Sequence, residues 1–193
     1  MTLVCGRYRL ALDRPLIMGI VNITPDSFSD GGKFFATDAA IAQARRLIAE
    51  GADLLDFGAE STRPGAAPVS EADEIARLVP VLEALADITV PISVDTMKPA
   101  VMREAVRRGA SMINDIRALT EPGAMQAAVA TDCGICLMHM QGEPRTMQAA
   151  PTYGDVVGEI AAFLGARVRA CEAAGIAHNR IVIDPGFGFG KTL

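Results

Sequence analysis

The hydrophobic positions of this chain fall into six short runs: LIMGIVNI (16–23), ADLLDFG (52–58), PISVD (91–95), ASMINDI (110–116), GICLMHM (134–140) and RIVIDP (180–185). None alternates cleanly between apolar and polar, which is the pattern of strands buried on both faces of a parallel sheet. Between the runs the apolar spacing turns helical. Ile41, Ala44, Leu47 and Ile48 form one face that stops at Gly51. Ile75, Leu78, Val79, Leu82 and Leu85 form another behind a Ser70/Asp73 capping pair, with Pro80 expected to kink or divide that helix. Pro99 and Pro122 suit first-turn positions of the next two helices, and Val156, Val157, Ile160, Phe163, Leu164 and Val168 stripe a longer one ending near Gly175.

A weak repeat supports this βα unit. GADLLD (51–56) and GASMIND (109–115) each run from a helix-ending Gly into a strand with a polar end. Such alternation predicts a parallel α/β architecture whose site lies at the carboxyl ends of the strands. A (β/α)8 TIM barrel is the first choice and a doubly wound open sheet the second. The hairpin-like residues 3–12 would cover the barrel's N-terminal end. A barrel needs eight strands and six are counted, so residues 1–193 are expected to be one barrel domain truncated after about six strands, with two C-terminal βα units missing.

Composition narrows the class. With 193 residues, 50% of them hydrophobic, the chain is long enough for one well-buried core. The net charge is −5 and no Lys/Arg cluster occurs, which argues against nucleic acid as a partner. The N-terminus MTLVCGRYRLALDRP is interrupted by Arg7, Arg9 and Asp13 before any run long enough for a signal peptide or membrane span, so a cytoplasmic location is expected. Cys133 and Cys136 form a C-x-x-C, yet on a strand residues three apart point to opposite faces, and no second Cys/His pair is spaced to complete a zinc site. All four cysteines are read as packed thiols.

The strand ends carry Asn22, Asp56, Asp95, Asn114, Asp115, His139 and Asp184. Polar groups at the mouth of an apolar barrel are costly unless they meet a ligand or each other, although Asn and Asp also end strands simply by turning the chain. Carboxylates and amides with few cations suit a donor-rich planar heterocycle, because a carboxylate accepts two parallel N–H bonds from an amine and its neighbouring ring nitrogen. In ESTRPGAAPVS (60–70), Arg63 offers a fork for an anionic oxygen. NITPDSFSDGG (22–32) reads as a lid with Phe28 as its apolar contact. DPGFGFGKT (184–192) departs from a phosphate-binding loop because Pro185 stands where the first Gly is required. It is read instead as a turn that admits a flat ligand beside Phe189.

Taken in order, MGIVNITPDSFSDGG, GAESTRPGA, ISVDTMKP, INDI, LMHMQGEPRTMQ and IDPGFGFGKT resemble dihydropteroate synthase of folate biosynthesis. The resemblance covers nearly the whole chain. It implies a (β/α)8 barrel that joins 6-hydroxymethyl-7,8-dihydropterin diphosphate to 4-aminobenzoate with Mg2+, releases diphosphate, is the target of sulfonamides and forms a homodimer. It assigns Asp95, Asn114 and Asp184 to the pterin edge, and Ile116, Met138 and Phe189 to its faces. Asn22 matches the metal ligand and Arg63 a diphosphate contact, while Phe28, Thr62, Pro64 and Gly188 match positions around aminobenzoate. The family's later Ser-x-Lys and Arg-x-His motifs are absent from these 193 residues, which implies that the chain alone is not competent. Two alternatives are a methyltetrahydrofolate-binding methyltransferase domain, with similar Asp/Asn/Asp strand ends but no diphosphate to enclose, and a noncatalytic pterin-binding module.

Overall fold

The computed structural model describes residues 1–23, 33–60, 68–144 and 146–192, with the backbone alone for 33–35. A short antiparallel hairpin, β1 (Thr2–Cys5) and β2 (Tyr8–Ala11), opens the chain. Six parallel strands follow: β3 (Met18–Asn22), β4 (Leu54–Gly58), β5 (Ile92–Asp95), β6 (Met112–Asp115), β7 (Gly134–Met138) and β8 (Ile181–Asp184). Their spatial order is their sequence order, β3-β4-β5-β6-β7-β8. A doubly wound sheet reverses direction at a switch point; this one never does, so it is the singly wound arc of a barrel.

Helices α1 (Lys33–Ala49), α2 (Glu71–Ala84), α3 (Pro99–Arg107), α4 (Ala124–Val129) and α5 (Val156–Ala173) connect the strands. Three helices leave in the same way. Gly51, Gly109 and Gly175 have φ of +103°, +101° and +101°, and the next residue's N–H reaches back five residues, Ala52 to Leu47, Ala110 to Ala105 and Ile176 to Cys171. This is the left-handed exit that glycine makes without a Cβ clash. After Gly51 and Gly109 it turns the chain directly into the following strand, which explains the repeat in the sequence, whereas a short 3-10 turn at His178–Arg180 intervenes after Gly175.

The helix faces match the predicted stripes with local differences. In α2, Ser70 Oγ accepts from Asp73 N at 3.1 Å and donates to Asp73 Oδ2 at 2.7 Å. The helix runs unbroken through Pro80, whose side chain faces solvent, and Val81 is buried where Val79 was expected. Pro99 is indeed the first residue of α3, but α4 begins at Ala124 because Gly123, at φ +87°, is its cap and leaves Pro122 outside. On α5 the buried face is Leu164 and Cys171, whereas Val156 and Val157 are exposed.

Strands buried on both sides divide the core into three parts. Leu55, Phe57 and Val94 pack outward against Leu78 and Leu82 of α2, and Ile113, Ile135 and Leu137 pack against the α3–α5 layer. The inner faces of the strands begin with Met18, Leu54, Met112, Cys136 and Val182, and onto these the hairpin sets Leu3 and Cys5. Gly6 N donates to Asp132 O at 2.9 Å, and Cys5 Sγ lies against Gly134. The hairpin therefore closes the N-terminal end of the arc, as expected. Cys133 Sγ faces Ala110 O at 3.4 Å, outside the inner cluster that holds Cys136, so the C-x-x-C sulfurs diverge. No helix among the described residues is long and apolar enough to cross a membrane.

Candidate active site

Strand parity decides which polar ends enter the arc. Leu54 and Asp56 share the inner face of β4, Met112 and Asn114 that of β6, and Val182 and Asp184 that of β8. Each inner face thus begins apolar at the hairpin end and finishes polar at the opposite end. Asp115 has the parity of Ile113, and His139 that of Leu137, so both belong to the outer layer. Asp115 is fully buried; its two carboxylate oxygens accept from Arg117 N at 2.8 Å and Leu119 N at 2.9 Å. The His139 ring packs edge-on to Phe163 of α5, with centroids 5.0 Å apart. Of the seven polar strand ends, these two are structural.

The others form adjoining levels. Pairing aligns Asn22 with Gly58, Gly58 with Asp95, and Asp95 with Asn114. Gly58 stands between the first and third: a Cβ there would lie 3.6 Å from Asn22 Oδ1 and 3.8 Å from Asp95 Oδ2. One level lower, Asp56 aligns with Ser93 and accepts from Asn114 Nδ2 at 3.1 Å. Asp184 Oδ1 accepts from Gly186 N at 2.7 Å, which fixes the start of the turn after β8.

This interior is acidic. Burial, and then the carboxylates of Asp56, Asp115, Glu74 and Glu60, push Asp95 well above the ordinary carboxylate range. Burial likewise raises Asp56, offset by Ser93 and Asn114. Nearby cations are already committed. Lys98 Nζ sits 2.6 Å from Glu60 Oε2 and 2.7 Å from Glu74 Oε2. Lys191 Nζ donates to the carbonyls of His139, Gly186 and Phe189 at 3.1, 2.9 and 2.8 Å. The lysine of the Gly-rich terminal motif therefore holds its own turn together. Gly186 and Gly190 press against the backbone of His139 and Gln141 where no Cβ fits, and only Gly188 faces open space. Unsatisfied acceptors without a free cation among the described residues call for a ligand bearing several N–H donors.

Ile116 and Met138 are buried at the ends of β6 and β7, and Phe189 is half-buried in the final turn. Phe28, Thr62, Arg63 and Pro64 lie outside the described residues. Asp56, buried on the inner face, is the acidic residue that motif matching left without a role. Its parity with Leu54 is the signal that places it. No group of three or more His, Cys, Asp or Glu side chains among the described residues forms a metal cage. The exposed Asn22 is a hard oxygen donor at the rim, which fits an ion such as Mg2+ that keeps its waters and is held chiefly by substrate phosphates.

Residues 18–193 match the model of the pterin binding enzyme family, and the chain belongs to that family. Its relatives narrow the class. The chain is 53% identical over 185 residues to dihydropteroate synthase of Escherichia coli K12, an alignment that covers 95% of this chain and 66% of that protein. A Yersinia pestis dihydropteroate synthase in complex with a sulfonamide drug superposes with a TM-score of 0.92 at 52% identity, covering all of this chain and 70% of the other. A Burkholderia cenocepacia dihydropteroate synthase complexed with 7,8-dihydropteroate gives 0.88 at 53% identity, covering 99% and 65%. The chain spans about two thirds of the length of these relatives.

Proposed function

We propose that this chain carries the pterin-binding part of a dihydropteroate synthase, in a single barrel domain. The observation that supports the reading most directly is the inward set Asp95, Asn114 and Asp184, acceptors on three strands of an acidic interior beside which Lys98 and Lys191 are engaged elsewhere. A dihydropterin edge, with its amine and ring N–H groups, is the complement such acceptors need. The Burkholderia relative binds 7,8-dihydropteroate, the product that contains this ring.

In the proposed reaction the arylamine nitrogen of 4-aminobenzoate bonds to the methylene carbon of the pterin diphosphate. The carbon–oxygen bond to diphosphate breaks, and the nitrogen then loses a proton. Asp95, Asn114 and Asp184 hold the ring so that its electrons stabilise positive charge on the methylene, while Ile116, Met138 and Phe189 cover its faces and exclude water. Asn22 would hold Mg2+ at the rim, and the ion, when bound, would supply charge neutralisation for the diphosphate. Thr62, Arg63, Pro64, Phe28 and Gly188 are assigned to the diphosphate and aminobenzoate side. A homodimer in the cytoplasm completes the proposal.

The test is calorimetric titration of the full gene product with the pterin diphosphate, with and without 4-aminobenzoate, together with assay of 7,8-dihydropteroate. Binding and product formation are expected, and Asp184→Asn should weaken pterin binding by about 2–5 kcal/mol, since an amide turns a donor toward ligand donors. Methyltetrahydrofolate binding without product would favour a methyltransferase. Pterin binding without product would leave a noncatalytic module.

A further inference from the structure

At the Asp95 level and the one beneath it lie three buried polar atoms without hydrogen-bond partners: Asn114 Oδ1 level with Asp95, and Asp56 Oδ1 and Ser93 Oγ below. They belong to three consecutive strands, β4, β5 and β6. Asp56 is 4% exposed and Ser93 fully buried. The one bond among them runs from Asn114 Nδ2 to Asp56 Oδ2, 3.1 Å. An ionised carboxylate only accepts, so it admits only the NH2 end of the Asn114 amide. The carbonyl end is thereby turned away from Asp56 and left without a partner. Without that carboxylate an amide can present either end, and only one of them suits a ligand rich in donors.

We propose that Asp56 is a positioning residue: by holding the Asn114 amide nitrogen it presents Asn114 Oδ1 as an acceptor, and so selects the donor edge of the bound heterocycle. The inference rests on the pterin-site reading above. Ser93 stands level with Asp56 on the next strand and faces the same interior, where its hydroxyl is available to the second carboxylate oxygen. Burying a carboxylate here is costly, and nothing in the fold requires it: Leu54 and Met112 show that apolar side chains fill the same inner faces just below. A half-satisfied polar layer of this kind becomes favourable when a ligand completes it.

Asp56 also sets the charge that Asp95 experiences. The groups that act on Asp95 are Asp56 from β4, Asp115 from β6, Glu60 and the Glu74 of α2; Lys98 counters the two glutamates, and the Cys136 thiol is the neutral neighbour on β7. Replacing Asp56 by Asn removes the largest of the carboxylate contributions. Asp95 then ionises at lower pH.

The experiment measures binding of 6-hydroxymethylpterin to the full gene product across pH 5–9, in four forms: unaltered, Asp56→Asn, Asn114→Asp, and both substitutions together, with thermal melts as a check on folding. Asp56→Asn should weaken binding about tenfold at the alkaline end, as expected for loss of one positioned hydrogen bond, and should move the acid limb of the affinity profile to lower pH. Asn114→Asp sets two acids against each other and should bind more weakly still. The double exchange restores a donor at 56 and a carboxylate at 114 that faces the ligand with its free oxygen, so affinity should recover at least tenfold over Asn114→Asp. Unchanged affinity and an unmoved acid limb in Asp56→Asn overturn the proposal, as does a folded double variant that binds no better than Asn114→Asp. No binding by the unaltered protein overturns the pterin reading, and this inference with it.

Discussion

Asp115 shows how one carboxylate can be read two ways from a strand end. Its two bonds to Arg117 N and Leu119 N hold a turn in which Ala118 and Leu119 take φ of +50° and +58°, values that L-residues adopt only when held there. Burial raises its carboxyl from 3.8 to about 6. The folded state therefore binds this proton more tightly than the unfolded chain, so its contribution to stability is full below about pH 4 and is lost as the pH rises through about 6. Asp115→Asn, with one acceptor oxygen instead of two, should destabilise the protein by about 1–3 kcal/mol and remove that pH-dependent component; urea melts of both proteins at pH 4.5 and 7 check this. What separates Asp115 and His139 from Asn114 and Met138 is parity alone. The sequence places all of them at strand ends, but runs that are apolar on both faces lack the alternation that would fix parity, and packing against α5 or the interior supplies it.

At the scale of elements, the helix faces and their glycine exits were legible because each has a local cause: an apolar stripe, a reciprocal Ser70/Asp73 cap, a left-handed Gly. Local rules misplaced the boundaries where tertiary packing outweighs them. Pro80 is carried through α2 because Leu78, Val81 and Leu82 anchor the helix on both sides of it, a burial worth more than one lost backbone bond. The ion cluster of Lys98, Glu60 and Glu74 was not legible, since its members lie far apart in sequence. It joins α2, the second residue after β4 and the cap of α3, and Glu60 Oε1 also accepts from Val69 N at 2.9 Å. Lys98→Met would strand two carboxylates, one of them fully buried, and should cost about 3–5 kcal/mol. Replacing all three residues by apolar ones should cost less than the single change, and guanidinium unfolding of the two variants decides it.

For the whole molecule, the described sheet has two open edges, β3 and β8. Ile20 on one is 51% exposed and Ile183 on the other 54%. Unpaired parallel strands with bare isoleucines invite pairing with another chain. Residues 1–193 produced alone are therefore expected to self-associate, seen as light scattering that rises with concentration, and Ile183→Lys should reduce it. A monodisperse monomer at high concentration would show that these edges are inert. The sequential order of the strands was legible in the alternation of elements. The interior layering was not, because it arises only when strands distant in sequence stand level.

The hairpin that closes the floor of the arc is synthesised well before the groups that receive it. Gly6 docks on Asp132, and Cys5 on Gly134. At roughly 5–20 residues per second, translation leaves this hairpin without its partner for roughly 6–25 s. During that time β1 and β2 have only each other, and two strands are marginal in water. Residues made before the parallel sheet thus find their native place only after four of its strands exist, and Leu3 and Cys5, buried at the end, stay open to passing chaperones meanwhile.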